Sequence, residues 1–176
     1  MDTTTVSAEL EPQLRLYRRL FLARQDLHEA SAIIEETLRA NFPFPRYEEP
    51  GVLHLSLTTA LAIAYARPFV NSRGNATVAD RTVPGSLLRV YTRKERALHE
   101  VLIDFRNREI AHTDADILEL SLQLFPAGDG SISRATRHPY RRAELRALQK
   151  MIDKLLKELE RRCAELRRVL PLEVWL

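Results

Sequence analysis

The chain has 176 residues, 45% of them apolar and 29% charged, the proportions of an ordinary soluble globular protein long enough to bury a real core as one domain. Its one cysteine, Cys163, excludes an internal disulfide and points to a reducing compartment. Residues 1–13 are polar and acidic, unlike a signal peptide, and the apolar stretch from Leu53 to Ala66 is too short to span a bilayer, so a cytoplasmic protein with no membrane partner is expected.

A first helix is expected from Ser7, a potential cap, to about Arg39. Leu16, Leu20, Ala23, Leu27, Ala30, Ile34 and Leu38 recur at steps of three and four, and Leu10, Leu14, Tyr17 and Phe21 widen that stripe. Such width belongs to a helix packed against more than one neighbour. The run Asn41-Phe42-Pro43-Phe44-Pro45 ends it, because each proline disfavours helix in the residue before it. A second helix is expected over 52–66, with Leu57, Leu61, Ala64 and Tyr65 facing a core and Thr58, Thr59, Ala60 and Ala62 allowing close approach. Residues 70–92 read as a long irregular segment, of a length often tied to function or motion. Its Arg73, Arg81 and Arg89 suit phosphate contacts only as any polar loop would.

The third helix spans about 93–112, with Leu98, Val101, Leu102 and Phe105 as its apolar stripe. Beyond Asp114 the period changes: Ile117, Leu120, Leu122 and Leu124 alternate with Glu119, Ser121 and Gln123, as in a strand. A turn at 126–130 and a return over 131–136 complete a small β-hairpin, with a helix over 116–125 as the competing expectation. The last helix is expected from His138-Pro139 to about 169, with a near-heptad stripe from Leu145 through Ile152, Leu159 and Cys163 to Leu170. That stripe could pack within the monomer or pair with a second subunit. Cys163 on it reads as a small core residue.

The net charge of +3 does not by itself imply nucleic acid, but its distribution is uneven. Between Arg134 and Arg168 there are twelve lysines and arginines against five acids, a surplus of seven. A basic helix can collect phosphates. A solvated face with intrahelical pairs, such as Glu158 with Arg161 and Arg162, is the plainer reading of any single charge.

The sharpest motif is Arg106-Asn107-Arg108-Glu109-Ile110-Ala111-His112, followed by Thr113-Asp114. An arginine, a polar residue after it and a histidine six positions on resemble the R-x(4-6)-H signature of the HEPN superfamily. HEPN domains are small helical bundles, many of them ribonucleases or toxins that use no metal. The resemblance is specific over residues 93–114 and architectural elsewhere. It implies an all-α, up-down HEPN-like bundle carrying the hairpin as an insertion.

On a regular helix, residues six apart point about 120° from each other, so one helix does not easily bring Arg106 and His112 to one phosphate. The resemblance implies a composite site where two copies of this helix meet in a homodimer; fraying of the helix at Ala111-His112 would also let the imidazole turn. The implied reaction is attack of an RNA 2′-hydroxyl on the neighbouring phosphodiester. Histidine's pKa suits it to act as the acid or base, and arginine's planar fork suits the growing phosphorane charge. His112 and Arg106 take those catalytic roles, and Asn107 orients one of them or binds phosphate oxygen. Arg108 and His99 are auxiliary RNA contacts. Arg67, at the end of the second helix, either faces the same cleft or, as the plainer reading, is a helix-terminal arginine. No cofactor or metal is implied.

Some HEPN toxins carry a tyrosine two positions after the histidine, a target for modification by a nucleotidyltransferase-like partner; here Asp114 stands there, which puts that regulation in doubt. The five histidines show no paired-ligand spacing and no Cys-x-x-Cys is present, so a structural zinc site is not expected. Near its carboxyl end a helix favours arginine and histidine through its dipole alone. Three readings therefore stand at this point: a ribonuclease, such as the toxin half of a defence or toxin–antitoxin pair; a non-catalytic HEPN-like module binding RNA or protein; and a structural helical dimer.

Overall fold

The computed structural model describes residues 10–42, 51–71, 78–110, 120–124, 130–134 and 140–170, which are predominantly helical. Four α-helices, α1 (Glu11–Ala40), α2 (Val52–Ala66), α3 (Arg93–Phe105) and α4 (Arg142–Arg167), carry the architecture. A 3-10 turn covers Gly85–Val90, and a π-helical turn, Arg106–Ile110, continues directly from α3. Strands β1 (Leu120–Leu124) and β2 (Gly130–Arg134) pair antiparallel, with Leu122 opposite Ile132. The sequence alternation thus falls on extended backbone at 120–124, not on helix. The residues joining the two strands lie outside the described ones.

Helix α1 starts at Glu11 rather than at residue 8, and Ser7 lies outside the described residues. Leu10 precedes it without a side-chain cap. Pro12 suits the first turn, where its fixed φ is already helical and its missing N–H has no intrahelical role. The far end is set by Asn41, whose left-handed backbone (φ 51°) stops the helix ahead of the prolines expected to do so. The Asn41 side chain accepts a hydrogen bond from Arg142, joining the end of α1 to the start of α4.

Helix α1 packs against both α2 and α4, which is why its stripe is wide. Leu20, Ala23, Leu27, Ala30 and Ile34 are completely buried and meet Leu148, Ile152, Leu155 and Leu159 of α4 in one core. Each buried leucine contributes about 1.5–3 kcal/mol by leaving water. Cys163 belongs to the same core, and burial raises its thiol pKa. Helix α4 begins at Arg142, later than the expected 138–139; the Glu144 carboxylate accepts the Arg141 backbone N–H at 2.7 Å and caps it. Pro139 lies outside the described residues.

Three expectations are corrected. The segment 70–92, read as irregular, is packed in its second half: Val83, Leu87 and Tyr91 enter the core at four-residue steps, and the Val83 N–H donates to the Pro68 carbonyl at 3.0 Å. On α3 the apolar stripe is rotated. Val101 points to solvent and His99 points inward beside Leu102, because His99 finds aromatic and hydroxyl partners there. Leu57 of α2 is likewise only half-buried, while His54 and Thr58 are buried. Among the described residues, no helix is long and apolar enough to cross a membrane.

Candidate functional site

The motif sits where α3 changes character. Its amino end is firmly held: Thr92 Oγ1 accepts the Glu95 N–H at 3.3 Å, and the Glu95 carboxylate accepts the Thr92 N–H at 2.7 Å, a reciprocal capping box. Lys154 of α4 donates to the same carboxylate at 2.6 Å, and these contacts hold the Glu95 pKa below its usual range. Thirteen residues later the regular ladder ends. The Arg106 N–H is shared between the Leu102 and Ile103 carbonyls, and the π turn follows. Single π turns are uncommon and concentrate at functional sites.

Arg106 and Asn107 are both half-buried, and Arg106 Nη1 donates to Asn107 Oδ1 at 3.0 Å. The amide holds one end of the guanidinium without cancelling its charge. Among the described residues no carboxylate pairs with Arg106, and hydrogen-bond donor capacity beyond the one bond to Asn107 belongs to its planar five-donor guanidinium, the group suited to an anion. Helix α2 packs against both α3 and the π turn and walls one side of this position.

The other expected phosphate contacts fare differently. Arg108 is exposed and lies 3.8 Å from Asp104 one turn back, a loose surface pair. Arg67, the residue after α2, is drawn to α1: its guanidinium pairs with Glu29 at 2.5 Å and Asp26 at 3.5 Å. Its carbonyl accepts a 2.6 Å bond from the buried Arg19. Burial raises the Asp26 pKa, against the lowering pull of Arg67. Arg67 is therefore a structural cation between two helices, not a partner of Arg106 in a cleft.

His99 is also structural. Its Nδ1 lies 2.9 Å from the Tyr65 hydroxyl, which lies 3.2 Å from the Tyr91 hydroxyl, so three elements meet at one buried polar chain. Phe69 packs edge-on against the imidazole, with centroids 4.6 Å apart. Burial lowers the His99 pKa, raises that of Tyr65, and pushes Tyr91 up to about 12. The ring is a neutral clamp between α2 and α3, two helical turns before Arg106, and is not presented to RNA. No spacing rule in the sequence links Tyr65, Tyr91 and His99. The nearest signal was the pair Tyr65 and Phe69 at four-residue spacing, followed by a second aromatic at Tyr91.

His112 and Asp114 lie outside the described residues. Among the described residues, no three histidine, cysteine or acidic side chains gather where a metal could be held. A shallow apolar groove runs along the outer side of α2, lined by Val52, Leu55, Ser56, Thr59, Ala60 and Ile63. No protein-family model, curated protein or solved structure matches the chain.

Proposed function

We propose that this chain is a HEPN-type ribonuclease cleaving RNA without a metal. The carrying observation is Arg106, which has no carboxylate partner among the described residues and donates to the neutral amide of Asn107 on a π turn. In the reaction the RNA 2′-oxygen bonds to phosphorus as its proton leaves to a base. The bond from phosphorus to the 5′-oxygen then breaks, and that oxygen takes up a proton. His112 serves the proton transfers and Arg106 the charge on the non-bridging oxygens. Asn107 keeps the guanidinium plane directed, and Arg108 is a peripheral phosphate contact.

As the R-x(4-6)-H resemblance implies, the site is completed across a homodimer. Helix α2 flanks the π turn and has no charged residue, with Val52 and Leu53 exposed on it, which supports pairing on this side. A toxin or defence role, with an antitoxin protein masking the site, accords with such an activity.

The test is incubation of wild-type and His112→Ala protein with mixed RNA in EDTA, followed by analysis of the new ends. Cleavage to 2′,3′-cyclic phosphates by wild type alone is expected. A mixture of inactive Arg106→Ala and His112→Ala proteins should regain about a quarter of wild-type activity: half the dimers are mixed, and each has one intact site of two. Folded variants that cleave like wild type would remove the ribonuclease reading, and a mixture that stays inactive would remove the shared site.

A further inference from the structure

Six of the twelve basic residues between Arg134 and Arg168 line one ridge. The inward side of α4 is wholly apolar and fills the core. Opposite it, by the helical period, stand Arg146, Lys150, Lys154, Lys157, Arg161 and Arg168, all exposed, at steps of three, four and seven. The ridge spans about 33 Å at 1.5 Å per residue.

The acids nearby do not neutralise it evenly. Glu158 is taken by Arg161 and Arg162, both at 2.8 Å, with its pKa lowered to about 2; Glu165 also accepts from Arg161. Glu95 of α3 takes Lys154. Arg146, Lys150, Lys157 and Arg168 have no carboxylate partner among the described residues.

A second cluster lies across the seam. The Lys154–Glu95 pair and the Arg162–Ser86 hydrogen bond (3.0 Å) hold α4 along the 3-10 turn and the start of α3. Arg89, Arg93 and Lys94 are exposed on that stretch. Both arrangements oppose local stability. Like charges at i,i+4 repel along α4, and Arg93 and Lys94 occupy the positive end of the α3 dipole. A polyanion laid along the ridge would relieve the repulsion along α4.

We propose that the outer ridge of α4 docks the sugar–phosphate backbone of RNA without sequence preference. The ridge carries no aromatic side chain on which bases could stack, so contact is to phosphates. The apolar side of α4 is consumed by the core, which leaves nothing to enter a lipid surface. Arg93 and Arg106 are about 20 Å apart along α3, so only an RNA of several nucleotides can reach from one to the other. The inference shares the RNA ligand of the ribonuclease reading but not its chemistry.

The experiment is fluorescence anisotropy with a labelled 20-nucleotide single-stranded RNA over a salt series. Lys150→Glu combined with Lys157→Glu turns like-charge steps into ion pairs, so the variant should be no less thermally stable. It should bind at least tenfold more weakly at low salt, and its slope of log K against log salt should fall by about 1.4. Arg39→Glu, at the far end of α1, should bind as wild type does. Where the reversal disturbs folding, Lys150→Gln with Lys157→Gln carries the same test with a smaller loss. Affinity within twofold of wild type overturns the proposal. So does equally tight wild-type binding to poly-glutamate, which indicates an acidic protein, or a preference for phosphatidylserine vesicles. RNA bound through the ridge but never cut would sink the ribonuclease reading alone; RNA cut normally by ridge variants of unchanged affinity would sink this one alone.

Discussion

Helices α2 and α3 each give way to an arginine with helical backbone angles, Arg67 and Arg106 respectively. Two acids of α1 neutralise Arg67, whereas Arg106 is held by an uncharged amide beside it. The contrast separates an arginine that joins helices from one that can still bind an anion. Sequence position alone treats the two alike, since both are basic residues at a helix carboxyl end favoured by the dipole.

The largest expected effect lies on the Arg106 side. His112→Ala should lower RNA cleavage ~10²–10⁴-fold, the usual contribution of a general acid or base, in a gel or fluorogenic assay with unchanged helical circular dichroism. If cleavage survives within a few-fold, the proton transfers belong to another group. Arg106→Lys should recover only part of what Arg106→Ala loses, because lysine keeps the charge but not the planar fork.

Next in size is the clamp that positions α3. Tyr65→Phe removes the hydroxyl shared by His99 and Tyr91 and leaves both buried groups short of a partner, at a cost of about 1–3 kcal/mol by denaturant melt. A change below a few tenths of a kcal/mol would mean the chain of bonds is not formed in solution.

The clamp also sets a pH dependence. Burial lowers the pKa of both His99 and His54 below the ordinary 6.5, so the unfolded chain binds more protons than the folded one near that value. Glu100 opposes this for His99 and Arg96 adds to it. Stability contributed by the neutral rings is therefore complete above pH 6.5 and declines as pH falls towards their lowered values. Melting temperatures taken from pH 7.5 to 5 should drop, and His99→Gln should flatten the drop. A flat wild-type profile would contradict the burial of these rings.

The smallest effect belongs to Arg67. Its side chain is 46% exposed, so Arg67→Ala should cost under about 1 kcal/mol.

Much of the helical scaffold was legible because it rests on apolar periodicity. The stripe from Leu20 to Ile34 and that from Leu145 to Cys163 are buried as their spacing requires. Boundaries shifted where a single backbone preference prevailed, as at Pro12 and Asn41. What spacing could not show was which polar groups find partners across the chain. His99 stands where an apolar residue was expected to face inward, because Tyr65, Tyr91 and Phe69 assemble around it from other elements. Arg67 lost its expected place near Arg106 to Asp26 and Glu29, some forty residues earlier. The steps Val83, Leu87 and Tyr91 were visible in the sequence but hidden within a stretch rich in glycine and proline. At the motif, the π turn has no sequence signature, and His112 lies outside the described residues.

The most direct measurement compares Arg106→Ala and Arg67→Ala in one metal-free RNA cleavage assay, with folding checked by circular dichroism. Arg106→Ala should lose nearly all cleavage while Arg67→Ala keeps wild-type activity apart from its slight loss of stability. Equal activities in the two folded variants, or a greater loss from Arg67→Ala, would contradict the assignment of the available charge to Arg106.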